Sequence, residues 1–145
     1  MFKKTITAEF AFDSAHFLPN YLGKCSHIHG HRWRAIVTIT GDVNVLGSQE
    51  GMILDFTEFK RKLKELENEL DHKLLITENS ISDELFNLLK EHNFVIKEFP
   101  FVTTAENMAE WIFDVLQDGH YNLHVVSVTL YETPNNSATY SKEED

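Results

Sequence analysis

Three histidines and a cysteine are crowded into one short stretch of this chain. The only cysteine and three of the eight histidines lie in the segment Cys25-Ser26-His27-Ile28-His29-Gly30-His31. A further histidine, His16, lies upstream. Histidine is the commonest metal ligand in proteins, and a catalytic zinc site has three protein ligands and one open position. The pattern therefore predicts an enzyme with a zinc site formed by His16, His29 and His31.

Two stretches of alternating residues predict the strands that would bring these histidines together. Residues 5–16 and 31–40 alternate with period two, which is typical of a strand with one buried face. His16 ends the first buried face, and His29 shares a face with His31 if the second strand already includes it. If the two strands pair as a hairpin, the three imidazoles converge. An isolated His-x-His pair is more often solvent-exposed and without a metal, but His16 on a matching face favours metal binding.

Cys25 could play either of two roles beside such a site. A free cysteine is most often a small buried hydrophobe, but a thiol next to a bound cation is shifted towards the thiolate. The thiolate could act as a base or nucleophile, or it could be a fourth zinc ligand. The spacing leaves both roles open. His27 would point to the other face or lie in the loop, so we exclude it.

Three acidic positions have both a structural and a functional interpretation. Asp71-His72 ends an amphipathic helix, where charge complementarity is the simpler explanation, but a carboxylate-oriented imidazole could also transfer protons. Glu106 is fully explained as the last residue of a capping box that begins at Thr103. Glu132 follows the last predicted strand. A lone acid there is usually solvated, whereas a buried one could bind a guanidine-like edge such as that of a pterin.

The remaining pattern predicts an α+β fold. Residues 81–92 suggest a short helix and residues 94–96 a strand, and the capping box opens a strong helix that ends at Gly119. Residues 124–131 alternate as a final strand. Asp55 is a good N-cap for another helix, whose apolar stripe is Phe56, Phe59, Leu63, Leu66 and Leu70. Strands and helices are partly segregated and the leading strands are expected to be antiparallel, which favours α+β.

Bulk composition narrows the classes of function. The chain has 145 residues, of which 42% are hydrophobic and 25% charged, and this balance is ordinary for one globular domain over residues 1–145. The net charge of -10 argues against a nucleic-acid partner, because phosphate backbones need a basic face. No apolar run could cross a bilayer and no signal-peptide block is present, so we expect no membrane association and a cytoplasmic location. One cysteine allows no internal disulfide.

Taken together, these residues resemble the 6-pyruvoyl-tetrahydropterin synthase superfamily. One family motif alone would be weak, but six in order are highly specific. They are Phe12-Asp13-Ser14-Ala15-His16, Cys25-x-x-x-His29-Gly30-His31, Asp55-Phe56, Leu70-Asp71-His72, Thr104-Ala105-Glu106-Asn107 and Tyr131-Glu132-Thr133-Pro134. Cys25 stands where a folate-linked branch has Glu, and its spacing from His29 resembles that of the bacterial 6-carboxy-5,6,7,8-tetrahydropterin synthases of queuosine biosynthesis.

The resemblance implies a fold, a substrate and a role for each residue. The fold would be the tunnel fold, an antiparallel sheet with two main helices on one face. Trimers would close a barrel, and two trimers would stack into a hexamer with active sites between subunits. The substrate would be 7,8-dihydroneopterin triphosphate. Zinc would be held by His16, His29 and His31. Proton transfer would be carried out by Cys25, Asp71 and His72. The pterin would be anchored by Glu132, helped by Thr104 and Glu106.

Two other functions stay open at this point. The expected reaction yields 6-carboxytetrahydropterin, acetaldehyde and triphosphate. A 6-pyruvoyl-tetrahydropterin synthase would instead eliminate triphosphate without releasing acetaldehyde. A non-catalytic pterin- or metal-binding protein would need no proton relay, so the presence of Cys25, Asp71 and His72 argues against it.

Overall fold

A computed structural model describes residues 3–143 as a six-stranded mixed sheet with three α-helices. The strands are β1 (Thr5–His16), β2 (His29–Thr40), β3 (Lys73–Thr77), β4 (Ile96–Phe99), β5 (Val125–Thr133) and β6 (Asn136–Ser141). The helices are α1 (Phe56–Leu70), α2 (Asp83–Glu91) and α3 (Ala105–Gln117), and a one-turn 3₁₀ helix spans Lys24–Ser26. The sheet order is β4-β3-β1-β2-β5-β6. Within the described residues, each helix is too short or too polar to cross a membrane.

The β1–β2 hairpin lies at the centre of the sheet and follows the predicted alternation. The strands pair antiparallel over their whole length, from Thr5 opposite Thr40 to His16 opposite His29. Their inner face is buried and contributes Phe10, Phe12, Trp33, Ala35 and Val37 to the core. The other face, here called the open face, carries Glu9, Asp13, Arg32 and Arg34. A slip of one residue would expose the whole apolar set, so burial fixes the register.

Helices α1 and α3 supply the rest of the core. The carboxylate of Asp55 accepts a hydrogen bond from the amide of Thr57 at 2.7 Å and thereby caps α1, as predicted. Phe56 is an exception to the predicted stripe, because it is 52% exposed. The residues that the two helices bury include Phe59, Leu63, Leu66 and Leu70 from α1 and Met108, Ala109, Ile112 and Leu116 from α3.

Helix α3 begins one residue later than the predicted capping box requires. Its N-cap is Thr104, whose hydroxyl accepts a hydrogen bond from the amide of Asn107 at 3.2 Å. The box formed by Thr103 and Glu106 is therefore wrong. Thr103 is fully buried, and Glu106 lies exposed in the first turn of the helix. Two adjacent threonines are equal cap candidates in a sequence, and here burial of the first leaves the second to cap the helix.

Two strands were not predicted, and β4 shares only Ile96 with the strand that was predicted at residues 94–96. Strand β3 runs parallel to both β1 and β4, so the sheet is mixed rather than purely antiparallel. Strand β6 is a polar edge strand that pairs antiparallel with β5. Strand β5 ends at Thr133, so Glu132 lies within it and does not follow it. The α+β class is confirmed, with the two main helices α1 and α3 and the short helix α2 that the sequence predicts near residues 81–92.

Candidate active site

The end of the β1–β2 hairpin brings the three predicted zinc ligands together. His16 pairs with His29 in the strand register, and His31 is the next residue of β2 on the same face. The ring centroids lie 4.6 Å apart for His16 and His29, 5.2 Å for His16 and His31, and 4.7 Å for His29 and His31. The convergence expected from a hairpin is therefore present.

Backbone carbonyls orient two of these rings. Nδ1 of His16 lies 2.9 Å from the carbonyl oxygen of Thr103, and Nδ1 of His29 lies 2.7 Å from that of His27. A carbonyl oxygen can only accept a hydrogen bond, so each Nδ1 must carry the proton. Each Nε2 then keeps its lone pair, which is the usual arrangement of a metal-binding histidine and its outer partner. His27 thus contributes through its backbone, and its side chain is exposed.

Trp33 forms the apolar floor of the cluster. Its buried ring meets those of His16 and His31 edge-on, with centroid distances of 5.0 Å and 5.4 Å. The indole N–H donates to the carbonyl oxygen of Ser14 at 3.3 Å, which holds the ring in place. The imidazoles therefore stand on a rigid, water-poor surface.

Glu132 is a fourth member of the cluster. Val128 and Leu130 of β5 face the core, and period-two alternation puts Glu132 on the same face. Its Oε1 atom lies 3.2 Å from Nε2 of His16 and 2.9 Å from Nε2 of His31. One potential ligand atom from each of the four residues lies within 4.8 Å of all the others.

The electrostatics of the cluster suit a cation. Within residues 3–143, the buried Nε2 atoms of His16 and His31 have no well-aligned hydrogen-bond partner, although a carboxylate is near. Burial lowers the pKa of His31 from its ordinary value, with Glu132 opposing the shift. Neutral imidazoles and an ionised carboxylate are the forms that bind zinc, so these residues fit a zinc ion.

Cys25 lies beside this cluster in sequence but is not one of its members. It is a half-buried free cysteine in the one-turn helix Lys24–Ser26. Its carbonyl oxygen accepts a hydrogen bond from the amide of Leu18 at 2.9 Å, which closes the loop between β1 and β2. Among the described residues, the group that could hold a metal is made of three histidines and Glu132 alone.

Asp71 and His72 form the expected pair, which is not part of the four-residue cluster, although His72 and His31 line the same groove. The two oxygens of Asp71 bind the amide of Asp13 and Nδ1 of His72, each at 2.8 Å. The hydrogen bond from Asp13 lowers the pKa of Asp71 below its ordinary value. The His72 side chain is 79% exposed and lines a groove of about 770 Å³ whose wall includes Arg32, Leu85, Leu89 and Phe94. The described part of one chain does not include this pair in its own histidine cluster.

Thr103 contacts the histidine cluster, whereas its sequence context predicted only a helix-capping role. Its carbonyl and hydroxyl oxygens both lie near Nδ1 of His16, at 2.9 Å and 3.1 Å. The sequence signal was the doubled threonine before α3, of which only one can cap the helix. Thr104 and Glu106, the predicted pterin contacts, follow directly, so the start of α3 adjoins the histidine cluster.

Comparison with known proteins identifies the family. The model of the 6-pyruvoyl tetrahydropterin synthase family matches residues 5–143. The 6-carboxy-5,6,7,8-tetrahydropterin synthase of Haemophilus influenzae is 35% identical, and the match covers 98% of this chain and 100% of the relative. The enzyme of the same name from Synechocystis sp. is 36% identical, over 93% of this chain and 91% of the relative.

Solved structures show the same fold. The 6-pyruvoyl tetrahydropterin synthase of Caenorhabditis elegans matches with a TM-score of 0.68 and 24% identity, covering 99% of this chain and 100% of that one. An uncharacterized protein from Wolinella succinogenes matches with a TM-score of 0.77 and 21% identity, with the same coverage. The full-length family match and the sequence relatives settle the classification: this chain belongs to the 6-pyruvoyl tetrahydropterin synthase family.

Proposed function

We propose that this protein is a zinc-dependent lyase of queuosine biosynthesis. It would convert 7,8-dihydroneopterin triphosphate and one water into 6-carboxy-5,6,7,8-tetrahydropterin, acetaldehyde and triphosphate. The observation that carries the proposal is the cluster of buried, unpartnered imidazole nitrogens. It occurs in a chain that is 35% identical, over nearly its full length, to a relative named for this product.

The residues divide the chemistry among them. A zinc ion held by His16, His29 and His31 would act as a Lewis acid towards the hydroxyls of the substrate side chain. Cys25, as a thiolate, would remove a proton from the adjacent carbon and return it elsewhere on the substrate. His72 would provide the second proton-transfer group, with Asp71 keeping its ring oriented.

The pterin ring would be held by carboxylates. Its guanidine-like edge presents two parallel N–H donors, which a carboxylate can accept bidentately. Glu132 and Glu106 are the candidates for this contact, and Thr104 would support Glu106 at the start of α3. These contacts bind a part of the substrate that does not react, so they would contribute orientation rather than proton transfer.

We also propose that copies of this chain close a ring. Strand β1 pairs with β3 only over Ser14–His16, which leaves its edge at residues 5–13 unpaired in the described chain, and β6 is the outer strand on the other side. Strands β1, β2, β5 and β6 are successively antiparallel. Strand β6 of one copy could therefore add antiparallel to β1 of the next. Such a ring of three, stacked as a pair, would allow His72 of one copy to complete another copy's cluster.

The decisive experiment is product identification. Zinc-loaded protein is incubated with 7,8-dihydroneopterin triphosphate, the pterin product is identified by mass spectrometry and acetaldehyde is trapped. A 6-carboxy product with acetaldehyde supports the proposal, with His29→Ala as the zinc-free control. A 6-pyruvoyl product without acetaldehyde would select the alternative reaction. Unchanged substrate at full zinc occupancy would indicate a binding protein.

A further inference from the structure

We infer that Glu132 is a fourth, displaceable ligand of the metal. Its carboxylate would complete the coordination of the ion in the free protein and give up that place when substrate oxygens arrive. The inference rests on the proposed function for the identity of the displacing ligand. Its first test concerns the metal alone.

The tautomer of His16 leaves a lone pair facing Glu132. Nδ1 of His16 carries the proton, because that atom faces the carbonyl oxygen of Thr103. A neutral imidazole has one ring proton, so Nε2 of His16 presents a lone pair to Oε1 of Glu132 at 3.2 Å. Two acceptors at this distance repel each other unless a positive charge lies between them.

A second imidazole nitrogen also faces Oε1 of Glu132. Nε2 of His31 lies 2.9 Å from that oxygen, and this buried nitrogen has no aligned hydrogen-bond partner among the described residues. The ring centroids of the three imidazoles lie 4.6 Å to 5.2 Å apart, and one ligand atom from each of the four residues lies within 4.8 Å of the others. A single divalent cation satisfies all four residues at once, and three imidazoles with one carboxylate are an ordinary zinc donor set.

Glu132 is the ligand best suited to leave the metal. Its side chain is 29% exposed, compared with 17% for His31 and 1% for His16. Backbone carbonyls hold the rings of His16 and His29, and Trp33 contacts the rings of His16 and His31. Glu132 is therefore more accessible to an entering substrate than His16 or His31. A carboxylate released from the metal would be free to bind the pterin.

Zinc affinity gives the first test. Metal-free protein is titrated with Zn²⁺ against a competing chelator, and Trp33 fluorescence is followed in a Trp111→Phe background. We expect Glu132→Gln to bind zinc at least about tenfold more weakly than the parent. Glu132→Asp should retain part of the affinity, and Glu9→Gln, which removes a carboxylate from the open face, should match the parent. Equal affinities for the parent and Glu132→Gln, with both variants folded by circular dichroism, would overturn the inference.

Cobalt spectroscopy tests the displacement. The visible absorption of the Co²⁺-substituted protein should change when 7,8-dihydroneopterin, which lacks the triphosphate, is added. Without ligand, Glu132→Gln should already differ from the parent, because one donor has changed. Identical spectra for the two free proteins would contradict the fourth ligand, whatever the turnover. Conversely, absence of turnover by the zinc-loaded parent would refute the proposed function and leave the zinc affinities to decide the role of Glu132.

Discussion

His72 occupies a backbone conformation that side chains rarely adopt. Its φ angle is +58°, in the left-handed region. The conformation turns the chain sharply out of α1, so that the His72 amide donates to the carbonyl oxygen of Asp13 at 2.7 Å and the ring stays beside Asp71. Strain of this kind is typical of positions at which function selects the side chain.

Replacing His72 should reveal that strain. The free energy of unfolding should be about 1 kcal/mol higher for His72→Gly than for His72→Ala, so the glycine variant should be the more stable. Glycine adopts the left-handed region without the steric penalty of a Cβ. Both variants should lose turnover, since both lack the imidazole. Urea unfolding of the two proteins makes the comparison, and an alanine variant as stable as the glycine variant would show that the conformation is not strained.

Asp71 leads to a prediction about pH. The amide of Asp13 holds the pKa of Asp71 below its ordinary value. Its contribution to stability is therefore complete above the ordinary carboxyl pKa of about 3.9, and it is lost as the pH falls through the lower folded-state value. Asp71→Asn should lose less unfolding free energy than the wild type on going from about pH 6 to about pH 3. Urea titrations at several pH values measure this, and parallel stability curves would disprove the coupling.

Among the site residues, the sequence predicted best those whose positions depend on a single strand pair. His16, His29 and His31 could be placed from period-two alternation and a single hairpin. The contact of Glu132 with them depends in addition on how β5 aligns with β2, which side-chain types do not encode locally. The contact of Thr103 with His16 could not be predicted for a similar reason, because the two residues lie 87 positions apart in the sequence.

Among the elements, those with a strong apolar period were predictable and those defined by pairing were not. Helices α1 and α3 and strands β1 and β2 each bury a continuous face, so their sequences display the period of the structure. Strand β3 has five residues and strand β6 has a polar sequence, so neither shows a clear alternation. Their backbones become strands because β1, β4 and β5 offer hydrogen-bonding partners.

The N-terminus of α3 allows the capping and substrate roles of Thr104 to be separated. Thr104→Ala removes the hydroxyl that accepts the amide of Asn107, and this should lower the unfolding free energy by about 1 kcal/mol. Thr104→Ser keeps the cap and should restore the stability. If the hydroxyl only caps the helix, the KM of the folded alanine variant should stay unchanged. A raised KM in the folded alanine variant that the serine variant restores would instead assign the Thr104 hydroxyl to the substrate.

For the molecule as a whole, the polar edge strand β6 is the feature that bears on assembly. Proline cannot donate a backbone hydrogen bond, so it blocks strand addition where the amide faces outward. Adjacent amides of a strand point in opposite directions, so Ala138→Pro and Thr139→Pro should differ. The variant in which proline replaces a residue whose backbone amide faces outward should stay folded but become monomeric and lose turnover.

Light scattering and circular dichroism distinguish these outcomes. The wild type should have a mass of three or six chains. If both proline variants fold and keep this mass, β6 does not form the ring. A monomeric variant with full turnover would show that one chain completes its own active site.

Strand β1 directly connects the histidine cluster with the Asp71–His72 pair. Asp13, which binds both Asp71 and His72, is three positions from His16 on this strand, a distance of about 10 Å along its axis. In the proposed ring, His16 would serve one catalytic centre while His72 serves another. A small axial displacement of β1 in one copy would then alter proton transfer at an adjacent centre. Coupling of this kind would make the substrate saturation curve of the assembled protein deviate from a hyperbola.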